Sequence, residues 1–151
     1  MILIQLIWRD PYQLASKYTK STRILEFQYK VLHRRIAETD FLTKIGKRDN
    51  PNCSFCNEEQ EKLLHLFWSC PKVVTFWHEL IVRLTLLIIT SEHYTIEPLV
   101  ALGLKPDVFK NYQQINISFL LARYYIWISK RKETSPKIEG FLQILKNQIN
   151  L

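Results

Sequence analysis

Glycine is scarce in this chain: 151 residues hold only three. Apolar residues meanwhile recur at three- and four-residue steps, so the reading is a mostly α fold, a compact multi-helix domain. Long hydrophobic runs are missing too. The greasiest stretch, "LIVRLTLLII", is interrupted by Arg83 and reaches about half the ~20 residues of a membrane span. The opening "MILIQLIW" carries no basic leader and no small-residue cleavage site, which argues against a secretory signal. No internal repeat or low-complexity tract occurs. The expectation is an intracellular protein, in nucleus or cytoplasm, without a membrane partner. Its 47% apolar and 23% charged residues suit one core-forming domain over residues 1–151.

Cysteine is the most informative shortage. All three cysteines fall inside "CSFCNEEQEKLLHLFWSC", residues 53–70, with a histidine among them. Three cysteines cannot all pair with one another, and a reducing compartment does not favour disulfides. The spacing is C-x2-C-x8-H-x4-C, through Cys53, Cys56, His65 and Cys70. Zinc takes four tetrahedral ligands and suits thiolate and imidazole. Two residues between Cys53 and Cys56 let one tight turn present both sulfurs, and Asn50, Pro51 and Asn52 tolerate such a turn. His65 and Cys70 can converge if their helix ends between them and the chain bends at Ser69–Pro71.

The expected site is a CCHC zinc knuckle, residues 50–72, inserted between helices. Four protein ligands leave no position for water, which makes it structural rather than catalytic. Buried inert thiols, a Cys/His nucleophile and iron–sulfur ligation fit less well. "NEEQEK" reads as solvated surface rather than an orienting acid, and iron–sulfur clusters usually take four cysteines. His78 is a spare fourth ligand with a core role as the better reading; His33 and His93 are spare as well.

Along the chain, periodicity predicts a helix from Ser21, as N-cap, to Glu38. Leu25, Tyr29, Leu32 and Ile36 form its apolar side, widened by Ile24, Phe27 and Val31, while Arg23, Lys30 and Arg34 face away. Asp40 caps a short helix "FLTKI", ended by Gly46 in the left-handed conformation. A helix from about Glu58 to Trp68 follows, and Pro71 opens another. In that one Val73, Phe76, Trp77, Leu80, Ile81, Leu84 and Ile88 make a broad stripe. "TSEHYTIEPLVALGLKPD" reads as a connector. The C-terminal helical part, about 105–151, holds a central buried helix over Asn111–Lys130 and a last helix from Lys137. Lys130, Arg131 and Lys132 bring the central helix out into water. The "NIS" at Asn116–Ser118 is a chance match to a glycosylation acceptor.

Charge is uneven. Residues 1–52 carry ten Lys/Arg against five Asp/Glu, residues 53–104 three against six, and residues 105–151 eight against three. The surplus of +7 makes an anionic partner plausible, nucleic acid first.

"FQYKVLHRRIAETDFLTKIGKRDNPNCSFCNEEQEKLLHLFWSCPKVVTFWHELI" resembles the zinc-binding region at the C-terminal end of non-LTR (LINE-like) retrotransposon reverse transcriptases. The resemblance rests on Leu42, Gly46, Cys53, Cys56, His65–Trp68, Cys70, Phe76 and Trp77. That family usually has an acidic residue and a threonine or serine four and three positions before the histidine; this chain keeps Glu61 but has Lys62 beside it. "NISFLLARYYIWISKRKETSPKIEGFLQILKNQINL" looks like the tails of such polyproteins. The H-x4-C half is also similar to the retroviral zinc knuckle, which has a shorter interval before its histidine.

The resemblance implies an accessory domain that engages template RNA or target DNA. No paired-aspartate polymerase motif and no endonuclease constellation is present, so an enzyme is not expected, nor a small-molecule substrate. The chain reads as a separated tail, a degenerate copy or a gene-model fragment of a longer polyprotein.

Candidate nucleic-acid contacts are Lys44, Lys47 and Arg48 before the knuckle and Lys72 after it. Lys62 joins them if Leu63, Leu64 and Phe67 pack inward. Phe55, at the tip of the turn, either stacks on an unpaired base or packs on the knuckle itself. Trp68, Phe76 and Trp77 read as core. Tyr124, Tyr125 and Trp127 beside Lys130–Lys132 resemble an aromatic-basic patch, with buried rings and a solvated basic end as the plainer reading. The alternative function is a structural piece that docks on other segments of the polyprotein without binding nucleic acid.

Overall fold

A computed structural model of the chain describes residues 13, 15–88, 101–102 and 113–149. Its elements are α1 (Thr22–Leu32), α2 (Thr39–Lys44), a π-helical turn (His65–Ser69), α3 (Pro71–Ile88), α4 (Gln113–Arg131) and α5 (Ile138–Ile149). Among the described residues no strand forms; Asn52 and Gln60 make one isolated antiparallel bridge. The mostly helical expectation holds. Most of the 90–107 connector, and His93 with it, lies outside the described residues.

α4 is the central element. It packs against α1, α5 and the π-turn, while α3 packs against the π-turn and α5. Ile115, Phe119, Leu120, Leu121, Ala122 and Ile126 of α4 are all buried, as the nearly all-round apolar sequence predicts. Aromatic rings stitch the layers together. Phe76 of α3 meets Phe141 of α5 edge-on with centroids 5.6 Å apart, and Trp77 meets Phe119 at 5.9 Å. Such pairs add about 0.5–1.5 kcal/mol each beyond the area they bury.

The predicted Ser21–Glu38 helix is corrected in two ways. It stops at Leu32, because Arg34 turns into the left-handed region (φ 52°) and Arg35 N–H donates to Lys30 O. Its buried line also runs through Ile24, Phe27, Gln28 and Val31, leaving Tyr29 47% exposed against His33. Gln28 turns inward because Arg123 of α4 is buried there and donates to its Oε1 at 3.3 Å. Burial pulls the Arg123 guanidinium down to about 10.

Scarce glycine leaves a mark on the turns. Gly46 (φ 70°) ends α2 as predicted, but Arg34, Asn57 and Glu133 must adopt the same left-handed conformation. Each non-glycine residue held there costs about 1 kcal/mol or more. α5 begins after the Glu133 turn, and Gly140 lets it approach α4 closely. A Cβ at Gly140 would collide with the Tyr125 hydroxyl. No helix among the described residues is long and apolar enough to cross a membrane.

Candidate metal centre

The segment before the first cysteine folds back on the segment after the second. Cys53 N–H donates to Glu59 O at 2.7 Å and Glu61 N–H to Pro51 O at 3.0 Å, a narrow hairpin closed by the turn 54–58. Asn57, left-handed, closes that turn by donating its N–H to Cys53 O at 2.9 Å. Asparagine tolerates this conformation better than most residues, which suits it to follow Cys56.

His65 and Cys70 meet through the expected bend at Ser69–Pro71, with one feature the sequence did not suggest. The helix ends at Ser69, Cys70 turns out of it (φ −59°, ψ 129°), and the last turn before it underwinds. Cys70 N–H donates to His65 O at 2.9 Å, the i to i−5 bond of a π-turn. In a regular α-helix five residues would place the two side chains roughly 140° apart around the axis. The wider turn lets both face the hairpin, and Pro71 then starts α3. The helix expected from Glu58 begins only at residue 63, because 58–60 belong to the hairpin.

The four side chains converge. Sγ of Cys53, Cys56 and Cys70 and a ring nitrogen of His65 all lie within 4.8 Å of one another. Cys53 Sγ stands 3.8 Å from Cys70 Sγ, and Cys56 Sγ stands 3.4 Å from His65 Nε2. A zinc tetrahedron with Zn–S near 2.3 Å and Zn–N near 2.0 Å has edges of about 3.8 Å and 3.5 Å. The donor set therefore fits zinc in chemistry and in size. As thiols, Cys53 donates to Cys70; that bond first, and burial second, push the Cys53 thiol far up, while the same bond pulls Cys70 down. A cation bound among the sulfurs takes the place of the shared proton.

The far side of the imidazole is held as well. His65 Nδ1 lies 3.3 Å from Glu59 Oε2 and 3.4 Å from Ser69 Oγ. A carboxylate there favours the N–H on Nδ1 and keeps Nε2 free for a metal. Phe55 N–H points at Cys53 Sγ at 3.4 Å. His78 is exposed on α3, so neither the ligand role nor the core role expected for it applies; His33 is exposed too.

Glu61 is the residue whose setting the sequence misread. "NEEQEK" is not all solvated surface: Glu61 is 0% exposed. Its Oε1 accepts from Thr39 N–H at 2.8 Å, from Thr39 Oγ1 at 2.7 Å and from the Lys130 ammonium. Its Oε2 accepts from Ser54 N–H at 3.0 Å. One carboxylate thus caps α2, braces the turn between the cysteines and binds the end of α4. Burial alone would raise its pKa, but Lys130 and the other donors outweigh it and leave it lowered. Lys130, expected in water, is 7% exposed. Glu38, half-buried beside this cluster, is pushed up by burial and then by Asp40 and Glu61.

The candidate contact residues are scattered around this centre. Lys44 is exposed and paired with Asp40 at 2.8 Å. Arg48 donates to Glu133 Oε1 at 3.0 Å and reaches Ser54 Oγ at 3.5 Å. Lys47, Lys62 and Lys72 are exposed. Phe55 is only 9% exposed and belongs to the core, so of its two readings the packed one applies. Leu64 is exposed rather than packed inward, whereas Phe67 is fully buried. Trp77 Nε1 donates to Phe67 O at 2.9 Å and pins the π-turn to α3. Phe76 and Trp77 are core as predicted, and Trp68 is partly buried.

Residues 4–77 match the family described as zinc-binding in reverse transcriptase. No curated protein and no solved structure matches the chain. The match ends at Trp77, so it takes in all four ligand positions and Glu61 but neither α4 nor α5. Residues 4–77 are a zinc-binding region of the reverse-transcriptase type, with a Cys3His group set between helices.

Proposed function

We propose that this chain is a zinc-stabilised accessory part of a retroelement reverse transcriptase polyprotein, of the non-LTR kind. On this reading it holds RNA or DNA through phosphates with little sequence preference. Zinc, bound by Cys53, Cys56, His65 and Cys70, supplies a rigid cross-link and no reaction step. The observation that carries the reading is the placement of Lys47, Lys62 and Lys72. All three flank the ligands in sequence, all are exposed, and among the described residues none is engaged in an ion pair. Unneutralised cations on a fixed scaffold meet phosphates at little ordering cost.

The test is oligonucleotide binding by the zinc-loaded chain across a salt series. Reversing all three lysines to glutamate weakens binding and flattens the salt slope by about 0.7–0.9 for each phosphate that is no longer neutralised. Binding that ignores the triple reversal contradicts the reading.

A second reading has one observation of its own. Val74, Val82 and Leu86 lie four or eight residues apart on α3 and are exposed, Leu86 by 73%. An apolar line of this kind suits docking on another segment of the polyprotein. Co-purification with polymerase fragments, without retention of nucleic acid, favours it.

A further inference from the structure

We propose that the cleft between the metal turn and the end of α4 takes one unpaired nucleobase of a single strand. This rests on the nucleic-acid reading above and adds a strand preference and a site to it. The cleft holds about 260 Å³ and is lined by Leu42 of α2, Ser54 of the cysteine turn, Trp127 and Arg131 of α4, and Arg48 and Glu133 at its rim. That volume is below the roughly 300–1,000 Å³ of sites that enclose a drug-sized ligand. It suits a small planar group presented on a chain rather than a free metabolite.

The chemistry around it matches a nucleotide in three respects. Trp127, half-buried, offers an indole for stacking, the contact that single-strand binders use without regard to sequence. Arg48 and Arg131 offer guanidinium groups for the phosphate on either side. They come from the two basic portions of the chain, 1–52 and 105–151, which the fold brings together here. The Ser54 hydroxyl, already 3.5 Å from Arg48 Nη1, adds a polar edge.

Glu133 completes the arrangement. Its carboxylate neutralises Arg48 at 3.0 Å, and its backbone sits at φ 54°, a position glycine fills more cheaply. An incoming phosphate replaces this carboxylate on Arg48. Trp127, Arg131 and Glu133 all lie beyond the matched residues 4–77.

The experiment uses the zinc-loaded full chain, a short oligouridine and a duplex of equal length. Trp127→Leu is expected to weaken single-strand binding about tenfold, in the range of one base stack removed, and to leave the duplex unaffected. Glu133→Gln is expected to tighten single-strand binding about threefold, the scale of one exposed ion pair removed from competition. Zinc stoichiometry checks that each variant is folded. Should Trp127→Leu not fold, photo-crosslinking of iodouridine-substituted oligouridine to the wild-type chain decides instead, with an adduct expected on Trp127. Equal affinity for single strand and duplex, with an adduct elsewhere, overturns the cleft. The phosphate reading then survives if the lysine reversals still weaken binding. No binding of either nucleic acid overturns both.

Discussion

Lys130 donates its ammonium proton to the buried carboxylate of Glu61, 69 residues earlier in the chain. The same ammonium reaches Thr39 Oγ1 at 3.0 Å, and the other carboxylate oxygen takes the Ser54 N–H. The last full turn of α4 is thereby tied to the turn that carries Cys53 and Cys56. Although the family match stops at Trp77, the fold of the metal centre does not.

Removing one partner of this pair leaves an uncompensated charge in the interior. Lys130→Met and Glu61→Gln are each expected to cost about 3–5 kcal/mol, and the double variant much less than their sum. Urea unfolding of the zinc-loaded variants measures this. Additive losses below about 1 kcal/mol, the scale of a surface pair, contradict the buried geometry.

Glu61 also sets a pH dependence. Its folded pKa lies below the ordinary value, so its contribution is complete above the unfolded value near 4.3 and is lost as pH falls through the folded one. The stability gap between wild type and Glu61→Gln should stay constant from pH 8 to about 5 and close only in stronger acid. Urea midpoints at fixed excess zinc report it. A gap that already closes between pH 7 and 6 contradicts the assigned shift.

Phe55 and Leu64 test the packing of the knuckle, because Phe55, at the tip of its turn, is buried while Leu64, expected to pack inward, is exposed. Phe55→Ala should cost about 3–5 kcal/mol as a core truncation. Leu64→Ser should stay within about 0.5 kcal/mol as a surface change. Thermal unfolding distinguishes them. Equal effects contradict the placement of both rows of side chains.

What the sequence makes legible is local. Cys53, Cys56, His65 and Cys70 announce themselves by spacing, and Pro71 and Gly46 mark boundaries through backbone chemistry that needs no tertiary context. α4 and α5 follow from long apolar periodicity. Lys130 is different: nothing beside it hints at a carboxylate from a distant hairpin, so a basic run at a helix end reads as solvated. Glu61 carried one signal, its match to the family's acidic position, but composition hid its burial. Gln28 displaces Tyr29 from the core for a reason that lies in α4, namely buried Arg123. The π-turn is equally invisible, since His65 and Cys70 dictate it only once both face one ion.

Native mass spectrometry of the purified chain, beside Cys56→Ser and Cys70→Ser, probes the shared-cation centre most directly. One zinc per folded wild-type chain, lost in each variant together with cooperative unfolding, is the predicted result. A metal-free wild type that unfolds as cooperatively with a strong chelator as without it, or a zinc retained in both variants, would contradict the account.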